Sequence, residues 1–218
     1  MTSCAVGPSG VIQWTPRAPT YSLDFMPSMT STRTGSHLQW VRSHAALSGQ
    51  ACDDIVRLCS QFKCEETRVV GEEQLRSHRV ADVRMVPDVP ETQSLYSMLW
   101  AAALDATTRY YDLAIDAIVR VPQYVEYRAG HGHFHWHNDY SHESKWSPRK
   151  LTVILQLSDA AQYEGGDLEV FDSTSPEPTP RERGVFICLP SFVPHRVTAV
   201  TRGVRRALVA WIAGPRLI

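Results

Sequence analysis

The chain has 218 residues, a formal net charge of -1 and 43% hydrophobic residues, a composition typical of a globular protein with one sizeable core. The near-neutral charge gives no general attraction to nucleic acid or to an anionic membrane surface, and no apolar run approaches the roughly 20 residues that span a bilayer. Five unevenly spaced cysteines argue against a disulfide framework and favour a reducing, cytoplasmic location.

The first 36 residues are rich in Ser, Thr and Pro and show no sustained periodicity. This predicts an extended or partly disordered arm for residues 1–36. The arm also carries Trp14, Tyr21, Phe25 and Met26, which suggests that it packs over the domain or closes over a site as a lid. Residues 37–218 are expected to form a single domain, with helical support from 46 to 112.

Two helices are predicted in this supporting region. Ser48 suits the N-cap of a helix that runs to about Phe62. A longer helix is predicted from Pro90 to about Tyr110, with an apolar stripe formed by Leu95, Met98, Leu99, Ala102 and Leu104. Short strands are expected at 68–70 and 79–85.

Beyond residue 112 the pattern becomes that of short β-strands separated by turn residues, including a Pro-rich turn at 176–180. The predicted strands are 116–128, 133–139, 150–157, 167–171, 184–189, 195–200 and 204–213. Many short strands after two helices favour an α+β, mainly β fold: an antiparallel sandwich or barrel with helices packed outside.

A candidate metal site begins at the strand predicted for 133–139. Side chains at i and i+2 of a strand share a face, so His137 and Asp139 can reach one ion while Asn138 points away. His195, on a strand distant in sequence, can supply a third ligand. Two histidines and one carboxylate form the facial triad of non-haem Fe(II) oxygenases. Because residues 131–137 are rich in histidine, an exposed cluster with adventitious metal binding is the alternative.

Arg205 lies in a strand that continues into the apolar residues 207–211. An inward-facing arginine there would be an expensive buried charge unless it had an anion. Its guanidinium has the geometry to bind a carboxylate through two hydrogen bonds. We expect Arg206, in contrast, to be exposed.

Seven motifs follow one another in the order and at the spacings of a known family. They are 127–130 (YRAG), 137–139 (HND), 149–152 (RKLT), 163–168 (YEGGDL), 184–186 (GVF), 194–198 (PHRVT) and 201–205 (TRGVR). On these motifs the chain resembles the 2-oxoglutarate/Fe(II) dioxygenases, specifically the prolyl-4-hydroxylase-like branch and its bacterial PKHD-type relatives. The resemblance runs from about Gln123 to Trp211.

The resemblance implies a double-stranded β-helix (jelly-roll) core over residues 113–218 and a catalytic Fe(II) bound by His137, Asp139 and His195. It also implies that Arg205 binds the distal carboxylate of 2-oxoglutarate and that Tyr127 lines the pocket. Thr152, Ile154 and Gln156 share one strand face and are expected to line the co-substrate pocket. Some relatives have Tyr at the position of Gln156, so the second partner of that carboxylate remains open.

The implied activity is hydroxylation of an unactivated C–H bond, with O2 and 2-oxoglutarate as co-substrates and with release of succinate and CO2. Ascorbate is a candidate reductant. Halogenating relatives lack the carboxylate ligand, so Asp139 favours hydroxylation. The substrate is expected to be an amino-acid-like small molecule or a peptidyl residue such as proline. The candidate substrate contacts are Tyr140, His142, Trp146, His135 and Trp211; a solvated loop over 140–146 and a structural role for His135 are the alternatives.

Two other functions fit parts of the pattern. His135 and His137 resemble the H-x-H pair of the cupins, metalloenzymes that need no 2-oxoglutarate, although the cupin Glu is missing at its usual interval. A jelly-roll that binds a ligand or iron without catalysis is the non-enzymatic alternative.

Overall fold

The structure is a computed structural model that describes residues 29–30, 40–43, 46–66, 78–140, 149–172 and 175–215. Two α-helices and a series of β-strands lie within these ranges. In chain order they are β1 Met29–Thr30, β2 Val41–Ser43, α1 Gly49–Ser60, β3 Cys64–Glu66, β4 Arg79–Val80, β5 Asp82–Met85, α2 Gln93–Ala106, β6 Ala117–Arg128, β7 His133–His137, β8 Arg149–Gln156, β9 Tyr163–Gly165, β10 Leu168–Asp172, β11 Ser175–Pro178, β12 Phe186–Pro190, β13 His195–Val197 and β14 Val200–Ala213.

Both predicted helices are confirmed. The Ser48 hydroxyl caps α1 by accepting a hydrogen bond of 3.1 Å from the backbone N–H of Ala51. A 3-10 turn at Pro90–Thr92 precedes α2, and a π-helical turn at Thr107–Tyr111 follows it, so helical structure covers the predicted range. Within the described residues, no helix is both long enough and apolar enough to cross a bilayer.

One residue of the predicted apolar stripe of α2 is misplaced. Leu95, Leu99 and Ala102 are buried as expected, and Ala106 continues the same face. Leu104 is instead 46% exposed, because at about 3.6 residues per turn it lies half a turn away from Leu95. The prediction that Leu104 belongs to the buried stripe is therefore wrong.

The predicted mainly β sandwich is confirmed: two antiparallel sheets face each other. The larger sheet has the order β1-β2-β12-β8-β14-β6-β5-β3, and β9 also pairs with β14. The smaller sheet has the order β11-β10-β13-β7-β4. Several neighbouring strands, such as β7 and β13 or β8 and β12, are far apart in sequence, which brings the separate motifs of the chain together.

The alternation of side chains along β14 divides the core into two layers. Leu208, Ala210 and Ile212 pack with α2 on the outer face of the larger sheet. Arg205, Ala207, Val209 and Trp211 point the other way, into the space between the two sheets. The pocket described below is therefore formed by the inner faces of both sheets.

The strand predictions failed mainly at short or irregular segments. The residues expected to form a Pro-rich turn at 176–180 include β11, which pairs with β10 at the edge of the smaller sheet. An edge strand tolerates proline because its outer side needs no N–H donors. The predicted strand 195–200 ends at Val197, and β14 begins at Val200.

Some predicted segments lie outside the described residues, and some observed strands were not predicted. The predicted strand 68–70 and the apolar residues Trp14, Tyr21, Phe25 and Met26 lie outside them. Within the predicted N-terminal arm, β1 pairs with β2, and the Met29 side chain is 1% exposed. The strands β2, β3 and β9 also had no counterpart in the prediction.

Candidate active site

Two neighbouring strands of the smaller sheet bring the three predicted metal ligands together. His137 on β7 lies opposite His195 on β13, and Asp139 follows His137 by two residues. The Nε2 atom of His195 is 3.4 Å from Oδ2 of Asp139, and Nε2 of His137 is 3.9 Å from Oδ1. One ligand atom from each side chain lies within 4.8 Å of the others, and no other such group of His, Cys, Asp and Glu occurs among the described residues.

Both imidazole rings are oriented by backbone carbonyl groups. Nδ1 of His137 is 2.7 Å from the carbonyl oxygen of His135, and Nδ1 of His195 is 3.0 Å from that of Val193. Because a carbonyl oxygen can only accept, each Nδ1 carries the proton in the neutral ring. The lone pair is then on Nε2, the atom that faces the carboxylate, as metal binding by histidine requires.

The carboxylate of Asp139 is held from a third strand. The Thr152 hydroxyl on β8 donates a hydrogen bond of 2.7 Å to Oδ2 of Asp139. The backbone N–H of Asp139 donates to the carbonyl of Ser191 at 2.8 Å. These bonds fix the side chain and the backbone of Asp139 relative to the two histidines.

The protonation states of His137 and Asp139 favour cation binding. Burial lowers the pKa of His137 to about 4, and repulsion from His195 contributes in the same direction. Burial acts to raise the pKa of Asp139, but its hydrogen bond and charge interaction with His195 outweigh this and hold the pKa well below its ordinary value. For His195, burial acts to lower the pKa, but the hydrogen bond and the charge of Asp139 outweigh this and raise it. A neutral imidazole and an ionised carboxylate are the ligand forms that a divalent metal needs.

Arg205 lies elsewhere in the same pocket with its side chain 2% exposed. Its Nη2 donates a hydrogen bond of 2.8 Å to Oε1 of Gln156, and its guanidinium carbon is 5.5 Å from the centre of the Tyr127 ring. Its Nε is buried without a hydrogen-bond partner among the described residues. A buried cation with a spare donor fits an incoming carboxylate.

The resemblance implies that the pocket binds Fe(II) and 2-oxoglutarate, and its side chains suit both. Two imidazoles and one carboxylate form a donor set suited to Fe(II). The unpartnered donor of Arg205 fits the distal carboxylate of 2-oxoglutarate. The residues present therefore fit both groups.

The pocket unites most of the residues that the sequence singled out. Those that line it are His137, Asp139, His195, Arg205, Tyr127, Thr152, Ile154 and Trp211. Gln156 is not itself in the lining and acts on the pocket through its bond to Arg205. Tyr140 is half-buried outside the lining, and His142 and Trp146 lie outside the described residues.

The candidate substrate contact His135 does not line the pocket, although regular strand alternation would place it on the same face as His137. His195 pairs with His137, but Val197 pairs with Phe134, so a bulge interrupts the two-residue alternation of β7. Phe134 consequently lines the pocket and stacks on the His137 ring at 3.5 Å, while His135 is exposed. This placement also removes the basis of the cupin interpretation, which needs both histidines at one metal.

Sequence reasoning missed three polar or aromatic residues of the lining: Arg79, Gln123 and Phe134. Gln123 lies four residues before Tyr127 on β6, so strand alternation could have indicated it. Arg79 enters through the pairing of β4 with β7, which has no local signal in the sequence.

Comparison with known proteins gives consistent matches. The model of the 2OG-Fe(II) oxygenase superfamily matches residues 122–213. The PKHD-type hydroxylase YbiX of Shigella boydii is 31% identical over 166 residues, which cover 73% of this chain and 72% of that protein. A PKHD-type hydroxylase of Klebsiella pneumoniae is 30% identical over 139 residues, 61% of this chain; the match spans 62% of the length of that relative.

Solved structures share the fold at low sequence identity. A Pseudomonas putida prolyl-4-hydroxylase superposes with a TM-score of 0.65 at 15% identity, covering 82% of this chain and 94% of that one. A Trichoplax adhaerens prolyl hydroxylase, solved with a hypoxia inducible factor peptide fragment, gives a TM-score of 0.63 at 13% identity. The match covers 81% of this chain and 84% of that one. The double-stranded β-helix predicted from the motifs is therefore confirmed.

Proposed function

We propose that this chain, which belongs to the PKHD-type hydroxylases of the 2OG-Fe(II) oxygenase superfamily, hydroxylates an unactivated C–H bond of an amino-acid-like small molecule or a peptidyl residue such as proline. The single observation that carries this proposal is one pocket that contains the His137, Asp139 and His195 cluster together with the buried guanidinium of Arg205. The first feature suits Fe(II), and the second suits 2-oxoglutarate.

Each group would have a defined role. His137, Asp139 and His195 would hold the metal, and Arg205 would bind the distal carboxylate of 2-oxoglutarate. When bound, these two groups activate O2, so that one oxygen atom enters the substrate as a hydroxyl and the other leaves in succinate, with release of CO2. We propose ascorbate as the reductant that maintains Fe(II).

The side chains around the cluster orient and shield it. Thr152 holds the Asp139 carboxylate through its hydroxyl. Phe134 covers one face of the His137 ring, and Ile154 and Val209 supply apolar lining. An apolar lining excludes water and strengthens the electrostatic interactions within the pocket.

Two substrate classes fit this proposal. The solved prolyl hydroxylases that share the fold support peptidyl proline as one candidate. Free amino acids are the other, and both classes belong in the test.

The proposal is tested by measuring succinate formation with Fe(II) and 2-oxoglutarate supplied together and separately. We expect formation to require both and to fall by at least a hundredfold in Asp139→Ala. Asp54→Ala is the matched control, because Asp54 is an exposed carboxylate of α1. Turnover indifferent to 2-oxoglutarate would indicate a cupin-type enzyme. Binding of metal and 2-oxoglutarate without any succinate would indicate a non-catalytic protein.

A further inference from the structure

A second arginine enters the pocket from the smaller sheet. Arg79 on β4 pairs with Phe134 on β7 and lines the pocket. Its guanidinium carbon lies 4.8 Å from the centre of the Phe134 ring, and that ring stacks on His137 at 3.5 Å. A single aromatic ring therefore separates this cation from one of the metal-binding histidines.

The polar contacts of Arg79 leave its charge uncompensated. Nη1 and Nη2 both donate to Oε1 of Gln123 at 3.3 Å, and Nε is buried without a partner in the described part of the chain. Among the described residues no carboxylate lies within ion-pair distance of Arg79. A neutral amide orients a guanidinium but does not neutralise it. Arg79 is half-buried, so its charge stays available to an anion that enters the pocket.

Arg205, which is more deeply buried, has similar contacts in the same pocket: within the described ranges it has one glutamine partner and a buried Nε without one. The indole Nε1 of Trp211 is a third buried atom in the lining without a partner among the described residues. All three atoms are hydrogen-bond donors. The pocket therefore suits ligands that carry hydrogen-bond acceptors.

The two arginines are anchored at different levels of the pocket. Gln156, which holds Arg205, pairs with Ala207 of β14, whereas Gln123, which holds Arg79, pairs with Val209 on the other side of that strand. The two glutamines therefore differ by two residues along the sheet, about 7 Å, and by two strand spacings, about 10 Å. This separation favours two different anions over one shared anion.

The balance of charges in the pocket also favours a second anion beside Arg79. With divalent iron and dianionic 2-oxoglutarate bound, their charges cancel, and the charge of Asp139 cancels that of Arg205. Arg79 then remains as the one uncompensated charge among the described lining residues. We propose that Arg79 binds a carboxylate of the primary substrate, which makes the substrate a free carboxylic acid. This inference rests on the proposed function and narrows its substrate class.

The test compares acids with their own amides. L-Amino acids and short proline-containing peptides are supplied either as free acids or as C-terminal carboxamides, and stimulation of succinate formation is expressed relative to the basal rate of each variant. We expect at least one free acid to stimulate the unmodified protein with about tenfold or greater preference over its amide, the size of a lost charge-assisted hydrogen bond. Arg79→Gln should abolish that preference.

Two further variants distinguish the loss of an anion site at Arg79 from a general folding defect. Gln123→Glu keeps Arg79 but gives it an internal carboxylate, so it should also weaken stimulation by the acid. Arg202→Gln removes an exposed arginine that pairs with Glu164 and should leave the preference for the acid unchanged. Thermal unfolding of each variant reports whether the fold is retained.

A binding measurement separates this inference from the proposed function. The same acid and amide are titrated by calorimetry into protein loaded with zinc and 2-oxoglutarate, where no turnover occurs. Binding of the acid that weakens about tenfold in Arg79→Gln supports the inference even if the Fe(II) protein forms no succinate. Equal binding and stimulation by acids and amides, a preference that survives in Arg79→Gln, or no response to any acid would overturn it while succinate formation still supports the proposed function.

Discussion

At the metal-binding end of the pocket, one hydroxyl group orients the ligand that carries the negative charge. The Thr152 hydroxyl donates to Asp139, and its oxygen also lies 3.2 Å from the Ser191 hydroxyl. Removing a hydrogen bond to a metal ligand typically lowers metal affinity by about 10- to 100-fold. Such a bond is therefore a sensitive test of which carboxylate binds the ion.

We expect Thr152→Val to lower the affinity of the metal-free protein for a divalent metal by about 10- to 100-fold, because valine keeps the shape of the side chain but cannot donate to Asp139. A metal titration of the purified protein measures the change. Thr152→Ser retains the hydroxyl and serves as the control. An affinity that is the same in all three proteins would contradict the role of the Thr152 hydroxyl in orienting Asp139 for the metal.

For Arg205, we expect Arg205→Met to weaken 2-oxoglutarate binding to the zinc-loaded protein by at least about thirtyfold, since a charge-assisted hydrogen bond contributes about 2 kcal/mol. Calorimetry with 2-oxoglutarate measures the affinity. Arg202→Met is the control, because Arg202 is exposed on the same strand. Unchanged affinity in Arg205→Met would refute the role of Arg205 in co-substrate binding.

Irregularities in individual strands determine which side chains line the pocket. The alternation of β7 predicted the shared face of His137 and Asp139 but not the bulge that turns Phe134 inward. A bulge depends on how the partner strand pairs, and one residue of register reverses every side chain beyond it. For the same reason, β11 was not predictable from its two prolines, which are compatible with a strand only at a sheet edge.

The pairing of β14 with β9 gives a prediction about stability, because Gly203 of β14 lies opposite Tyr163 of β9. Gly203 has a φ of 72°, and a Cβ atom there would lie 2.0 Å from the carbonyl oxygen of Gln162. Gly203→Ala therefore combines an unfavourable left-handed backbone with a steric clash. We expect it to lower the free energy of unfolding by about 2 kcal/mol or more, measured by urea denaturation.

Gly130→Ala is the matched control for this substitution. Gly130 also has a positive φ, 96°, but nothing lies within 4 Å of the position that a Cβ atom would occupy there. Its loss of stability should therefore come from the backbone alone and remain smaller than that of Gly203→Ala. Equal losses would indicate that the contact with Gln162 relaxes without cost.

At the scale of the whole molecule, the site exists only because two sheets face each other. His137 and His195 lie on strands of the smaller sheet, and Asp139 follows β7 directly. Thr152, Ile154 and Arg205 come from the larger sheet. The order of seven motifs was sufficient to predict the fold and the cluster of His137, Asp139 and His195. It could not reveal Arg79, because the pairing of β4 with β7 links residues that share no motif and no local periodicity.

Ligand binding across the two sheets should stabilise the entire domain. We expect zinc and 2-oxoglutarate, each added in excess, to raise the midpoint of thermal unfolding, since a ligand at 100 times its Kd contributes about 2.7 kcal/mol. Asp139→Ala should lose the response to both additions. An equal rise in Asp139→Ala would mean that the metal binds elsewhere.

A crystal structure of the protein grown with Mn(II) and 2-oxoglutarate, with the metal located by its anomalous scattering, tests the assigned site most directly. We expect one metal about 2 Å from Nε2 of His137, Nε2 of His195 and a carboxylate oxygen of Asp139, and a 2-oxoglutarate carboxylate hydrogen-bonded to Arg205. A metal held by His135 or by residues outside this cluster, or a 2-oxoglutarate that makes no contact with Arg205, would overturn this assignment.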